Sequence, residues 1–279
     1  MKALEIIKLG SNLLKEKKIS SHILDSELLL SKTLNKSREK ILTDLNQLVD
    51  KKNIEKFREY ISRRLKNEPV AYIVKEKEFW SKKFNVSKST LIPRPETELL
   101  VERLIEIFKK KRITILEIGT GSGCILLSLL SNLVDSRGIG LDISNKAISV
   151  AKGNSVKMNM SNKVKFFVRS HKLIFEKKFD LIVSNPPYIK TKDIKNLSDD
   201  IKMYEPRMAL DGGNDGLDLI KKFIYKSKDI LKINGMLALE IGNEQFKKVS
   251  KILFDNNFRI KHVIKDYENN IRCLTAIYK

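Results

Sequence analysis

Cysteine occurs at only two positions, Cys124 and Cys273, and neither sits in a CxxC pair. That excludes a zinc ribbon, a thiol–disulfide redox motif and a disulfide framework. The three histidines, His22, His171 and His262, are scattered, so no metal site is expected. No run reaches the roughly 18 apolar residues of a membrane span. The start, Met1-Lys2-Ala3-Leu4-Glu5, lacks the apolar stretch of a signal peptide, and the expectation is a cytoplasmic protein with no membrane contact. Acidic residues are outnumbered, 34 against 55 Lys and Arg, for a formal net charge of +21. The surplus runs along the whole chain instead of forming a tail, so direct nucleic-acid binding is allowed but not required. Proline is also scarce, and two of the six prolines stand side by side in Asn185-Pro186-Pro187-Tyr188.

The 279 residues suffice for two domains. Before Pro69 there is no proline and only one glycine, and apolar residues such as Leu4, Ile7, Leu14, Leu28 and Leu29 recur at helical spacing. A small helical bundle is expected over 1–70. Its last helix carries Ile54, Phe57, Ile61 and Leu65 on one face, with Arg58, Arg63 and Arg64 read as a solvated face. Glu68-Pro69 breaks that helix, and the alternation through 70–74, 78–84 and Val86 predicts a β-hairpin linker over 71–92. From 93 to 279 short apolar runs at 113–118, 137–142, 164–168, 179–184, 235–241, 259–264 and 273–278 alternate with helical segments. Such spacing predicts a mainly parallel, doubly wound α/β sheet.

Two motifs carry chemistry. After the first run comes Glu117-Ile118-Gly119-Thr120-Gly121-Ser122-Gly123-Cys124, where glycines let backbone approach a ligand at a strand end. No Lys-Ser or Lys-Thr follows, so it is not a phosphate loop, and its third glycine comes one position too early for the dinucleotide fingerprint. About 20 residues on, Asp142 ends the next strand, where a carboxylate can bond ribose hydroxyls. A tight turn and a helix cap are the plain structural alternatives. A close-fitting, uncharged loop with a ribose acid suits a nucleoside without phosphates, and S-adenosylmethionine is the expected cofactor, held by Gly119, Thr120, Gly121, Ser122, Gly123, Asp142 and Asn185. The second motif is Asn185-Pro186-Pro187-Tyr188. Its prolines fix φ and remove two donors. The Asn185 side-chain oxygen and the Pro186 carbonyl can accept the two hydrogens of a planar NH2 group, and Tyr188 can offer it an aromatic face. Asn185, Pro186 and Tyr188 are the expected catalytic residues, and Pro187 joins them in holding substrate. A sharp turn through Asn-Pro-Pro is the structural alternative. Together the motifs resemble amino-group methyltransferases acting on adenine, cytosine or glutamine amides.

Further segments narrow this: Ala71-Tyr72-Ile73, Glu78-Phe79-Trp80, Pro93-Arg94-Pro95-Glu96-Thr97-Glu98, Glu205-Pro206-Arg207, Asp211-Gly212-Gly213-Asn214-Asp215-Gly216 and Leu239-Glu240-Ile241-Gly242-Asn243-Glu244-Gln245. With these the chain resembles the bacterial peptide chain release factor glutamine methyltransferases over nearly its full length. The resemblance implies a class I S-adenosylmethionine-dependent methyltransferase domain, Rossmann-like with a mostly parallel seven-stranded sheet, behind the helical bundle and hairpin. It implies methylation of the glutamine in the Gly-Gly-Gln motif of class 1 release factors. A methyltransferase acting on an exocyclic adenine amino group of DNA or RNA is the rival, and a noncatalytic RNA-binding module with a vestigial fold is a third reading. Three departures stand out: Arg169-Ser170-His171 where the family commonly has an acid and an aromatic, Lys75 in place of a glycine, and Asn269-Asn270 in place of a glycine before Arg272.

Overall fold

The computed structural model describes residues 1–168 and 178–279, so Arg169-Ser170-His171 lies outside the described residues. The chain forms two compact units, Met1–Glu76 with Ser198–Tyr204, and Lys77–Leu197 with Glu205–Lys279.

The first unit holds α1 (Ala3–Glu16), α2 (His22–Leu34), α3 (Arg38–Leu42), α4 (Lys51–Leu65) and α5 (Val70–Val74). The helical periodicity resolves into one core in which Ile6, Leu14, Leu29, Leu30, Phe57 and Ile61 are buried together, each worth about 1.5–3 kcal/mol of burial. Helix α4 starts at Asp50, whose carboxylate accepts from the Asn53 amide at 2.8 Å. Two expectations are corrected. Residues 70–74 form a helix, not an extended segment, because burying Tyr72 and Ile73 outweighs the β preference of a Val-Ala-Tyr-Ile-Val string. Nor are Arg63 and Arg64 a solvated face. Arg64 is buried with its Nε 2.7 Å from Asp25 Oδ2, and Arg63 donates to both oxygens of Glu68 at 2.7 and 2.8 Å.

The second unit opens within a two-stranded hairpin, β1 (Glu76–Phe79) and β2 (Lys82–Asn85). Trp80 and Ser81 turn it with φ of 50° and 53°, the left-handed pair that matches the twist of a tight hairpin. Lys75 (φ 61°) and Asn269 (φ 68°) likewise adopt left-handed backbone, the conformation that glycine would take without strain. Helix α6 (Pro95–Phe108) carries proline at its first position. There follow β3 (Thr114–Ile118), α7 (Cys124–Asn132), β4 (Arg137–Asp142), α8 (Asn145–Lys157), β5 (Val164–Val168), β6 (Phe179–Ser184), the short α9 (Asp199–Tyr204), α10 (Asp218–Ile230), β7 (Leu231–Glu240), α11 (Phe246–Asp255), β8 (Phe258–Lys265) and β9 (Ile271–Tyr278). Helix α9 belongs to the first unit, where the Tyr204 hydroxyl donates to the Lys66 carbonyl at 2.8 Å and Asn67 Nδ2 to Asp199 Oδ2 at 3.4 Å.

The seven large-sheet strands run in the order β5-β4-β3-β6-β7-β9-β8. Pairing is parallel from β5 through β7, while β9 lies antiparallel to both β7 and β8. Side chains alternate between faces, as pleating requires. Ile115, Leu181, Val183 and Ala238 enter one core with α6 and α7, and Leu116, Ile182, Leu237 and Leu239 enter the other with α10 and α11. The expected class I architecture, a mostly parallel seven-stranded sheet, is therefore observed between Thr114 and Tyr278. Among the described residues no helix is long and apolar enough to cross a membrane.

Candidate active site

In chain order the strands step outward from β3 through β4 to β5 and then return to β6 on the other side of β3. Open α/β sheets bind ligands at such a reversal, outside the carboxyl ends of the strands. Here Glu117 pairs with Val183, and the Ser184 hydroxyl donates to the Ile118 carbonyl at 2.7 Å. The loop after β3 and the loop after β6 must therefore leave the sheet side by side. Residues 119–123 and 185–188, 62 or more positions apart on any route along the chain, meet because their strands are neighbours.

The first loop is shaped by its glycines. Gly119 and Gly121 have φ of 74° and 55°, and a Cβ on either would meet nothing within 4 Å. Their backbone borders open space. Gly121 N donates to Asp142 Oδ2 at 3.0 Å and Ser144 N to Asp142 Oδ1 at 2.9 Å, so Asp142 is fixed beside the loop while Ser144 caps α8. Gly119, Thr120, Gly121, Ser122 and Asp142 line a cavity of about 170 Å³, together with Asn185, Pro186 and Pro187. Gly123 stands behind it, where a Cβ would lie 3.3 Å from Ala151, Leu127 and Phe166 atoms. Beneath the loop Glu117 is buried and accepts from the Thr120 hydroxyl. Burial, reinforced by Asp142, pushes its carboxyl up to about 8 against the bonds from Thr120 and the Leu126 amide.

A polar chain that sequence reading missed holds Asn185. Asn185 Nδ2 donates to Thr97 Oγ1 at 3.2 Å, and Thr97 Oγ1 donates to Glu240 Oε2 at 2.5 Å. The Tyr188 hydroxyl donates to Glu240 Oε1 at 3.2 Å. Thr97 and Glu240 are both buried, and burial lifts the Glu240 carboxyl to about 7. Both residues fall in segments already singled out by family resemblance, the only signal that could have found them, since they lie 143 positions apart. Tyr188 is not among the residues that line the cavity; its ring is partly buried against the core that includes Leu239 and Ile241, and burial and Glu240 push its phenol upward.

The backbone after Pro187 is braced from below. Gln245 Nε2 donates to the carbonyls of Tyr188 and Gly216 at 3.0 and 3.1 Å, and its Oε1 accepts from Gly242 N at 2.8 Å. Gly212 donates its N–H to Ile189 O at 2.8 Å, and a Cβ there would lie 2.7 Å from the Pro187 carbonyl. Only a glycine permits this approach.

Known proteins match the chain in both units. Residues 5–74 match the family model described as PrmC N-terminal domain, and residues 95–203 match the methyltransferase small domain. The Buchnera aphidicola release factor glutamine methyltransferase is 42% identical over 248 residues, covering 89% of each chain. That of Clostridium acetobutylicum is 36% identical over 272 residues, covering 95% of each. The bifunctional methyltransferase of Rickettsia prowazekii is 39% identical over 274 residues, 90% of this chain but 52% of that protein, so the chain spans about half the length of such relatives. Among solved structures, a methyltransferase from Pyrococcus furiosus superposes with a TM-score of 0.54 at 18% identity, covering 77% of this chain and 96% of that one, a likeness of fold. The glycine loop, the Asn-Pro-Pro-Tyr turn and the identity over most of both chains to the Buchnera and Clostridium proteins agree, and the chain belongs to the release factor glutamine methyltransferase family.

Proposed function

We propose that this chain transfers a methyl group from S-adenosylmethionine to the side-chain amide nitrogen of the glutamine in the Gly-Gly-Gln motif of class 1 release factors. The observation that carries it is the adjacency of the β3 glycine loop and Asn185 in one cavity, with the amide's NH2 edge engaged by Thr97. Open space over Gly119 and Gly121, together with a carboxylate at Asp142, suits a nucleoside. In this reading Gly119 to Gly123 and Asp142 hold the cofactor, and Asn185 to Tyr188 serve the substrate. The helical domain, 1–70 by sequence, docks the protein substrate, the hairpin region 71–92 links it, and 93–279 is catalytic. Such a substrate calls for action in the cytoplasm. The names of the full-length relatives support this choice of acceptor.

S-adenosylmethionine, when bound, supplies an electrophilic methyl group on sulfur. The acceptor nitrogen is a weak nucleophile because its lone pair is shared with the carbonyl. Asn185 Oδ1 and the Pro186 carbonyl accept its two hydrogens and turn the lone pair toward the donor. As positive charge grows on nitrogen these fixed oxygens stabilise it, by about 3 kcal/mol for a well-placed partner. Loss of one N–H proton from the methylated nitrogen to solvent water then restores the neutral amide, and no dedicated base is needed.

The test is mass spectrometry of a release factor after incubation with the chain and S-adenosylmethionine, run beside DNA and RNA. One added methyl on the Gly-Gly-Gln glutamine is expected. Methyl found only on nucleic acid overturns the substrate. Asn185→Ala should lower transfer about a hundredfold with cofactor binding much less affected.

A further inference from the structure

We propose that Thr97 and Glu240 are positioning residues that lock the Asn185 side-chain amide with its oxygen turned toward the incoming NH2 group. The inference rests on the methyl-transfer reading for its consequence but not for its geometry. An ionised carboxylate can only accept hydrogen bonds. Glu240 Oε2 therefore takes the single hydroxyl hydrogen of Thr97, 2.5 Å away, and Oε1 takes that of Tyr188. With its hydrogen committed, Thr97 Oγ1 can only accept from Asn185, and only the NH2 edge of that amide can donate. The amide thus has one permitted orientation, with Oδ1 opposite the Thr97 contact. Flipping it would set two acceptors against each other at Thr97. It would also aim two N–H donors at a substrate that itself offers two donors.

The same logic gives Tyr188 work away from the cavity wall. Its hydroxyl holds the second Glu240 oxygen, so both carboxylate oxygens are directed. The groups facing Glu240 among the described residues are Glu96 and Thr97 of α6, Tyr188 after β6, and Arg272 and Cys273 of β9. The carboxyl titrates near 7 through burial. Once protonated it can donate to Thr97, which frees the threonine hydrogen for Asn185 Oδ1 and permits the wrong orientation. Turnover therefore declines on the acid side of that value.

The test is a pair of substitutions read three ways. Thr97→Val keeps the shape and removes the hydroxyl, whereas Thr97→Ser keeps the hydroxyl. Steady-state methylation of a release factor at pH 8 should show kcat for the valine variant lower by roughly tenfold or more, with the S-adenosylmethionine KM within about twofold. The serine variant should recover to within about threefold of wild type. The acid-side decline of kcat should be present in wild type and absent in the valine variant. Nitrogen-15 NMR of the full chain should find the Asn185 side-chain hydrogen that faces Thr97 protected from solvent exchange in wild type and in Thr97→Ser. Wild-type kcat in Thr97→Val overturns the proposal, and so does equal impairment of both variants or an unprotected hydrogen at that contact in wild type. A release factor left unmethylated by a wild-type chain in which that hydrogen is protected overturns the substrate reading and upholds the orientation.

Discussion

The Arg94 guanidinium lies 2.5 Å from the Glu205 carboxylate, joining two segments 111 positions apart. Glu205 is buried and also accepts from the Ile92 amide at 3.2 Å. Pro93, Arg94, Pro206 and Met208 line the same cavity, so this ion pair joins two segments of its wall. Arg94→Ala removes the guanidinium from a buried carboxylate. Breaking a buried pair costs about 3–5 kcal/mol, and the partial exposure of Arg94 brings the expectation to about 2–3 kcal/mol. Urea unfolding should register that loss, and calorimetry should show weaker S-adenosylmethionine binding. Unchanged values for both would mean the wall holds its shape without the pair.

Gly121 sits at φ 55° with empty space where a Cβ would project. Gly121→Ala is expected to cost about 1–2 kcal/mol for the left-handed backbone. Because the methyl group enters the cavity, S-adenosylmethionine affinity should also drop, by roughly tenfold. Titration calorimetry checks the second effect. An unaltered Kd alongside the stability loss would put the cofactor elsewhere.

Glu117 predicts how stability varies with pH. Its carboxyl is raised from 4.5 to about 8 in the folded chain. Between those values the native state keeps a proton that the unfolded chain releases, so stability falls as pH rises through the window and levels off above it. The slope is at most about 1.4 kcal/mol per pH unit for one group. Glu240, raised to about 7, adds a decline of the same sign over a shorter window. Glu117→Gln should flatten the denaturation midpoints measured from pH 5 to 9. Parallel curves for variant and wild type would show that Glu117 titrates normally.

Arg64 and Asp25 form a buried pair in the helical unit, with side chains 10% and 8% exposed. Arg64→Ala strands the aspartate and should cost about 3–5 kcal/mol. Exposed Arg58, six residues earlier on the same helix, should cost under about 0.5 kcal/mol when changed to alanine. Thermal melts of the two variants decide the matter. A charge reversal at Arg64 is therefore expected to report on folding instead of on substrate docking.

These outcomes separate what local pattern can carry from what it cannot. The runs ending at Ile118 and Ser184 are readable because strands buried on both faces are mostly apolar, and the run ending at Asp142 because Ile139 and Leu141 alternate with glycines at strand spacing. The meeting of Gly119 with Asn185 followed from chain order, since a doubly wound sheet leaves few places for the fourth strand. The Thr97–Glu240 bond had no such route. A threonine in the first turn of a helix and a glutamate at a strand end each look unremarkable, and only the folded sheet brings them together. Arg64 misled for a related reason: helical spacing gives the direction of a side chain but not whether Asp25 waits there. At 70–74 residue preference pointed to extended chain, and burial of Tyr72 and Ile73 decided for helix.

Helix α9 has a consequence for the order of synthesis. Domains emerging from a ribosome tend to fold as units, N-terminal first. The core of the helical unit lies within residues 3–74, but the unit lacks α9 when residue 76 has been made, because the Tyr204 hydroxyl that meets Lys66 O and the Asp199 that meets Asn67 are not yet present. Its completion waits until β3 through β6 and the Asn-Pro-Pro-Tyr turn have emerged. The nascent bundle therefore stays one helix short while the glycine loop and the acceptor turn are first brought together.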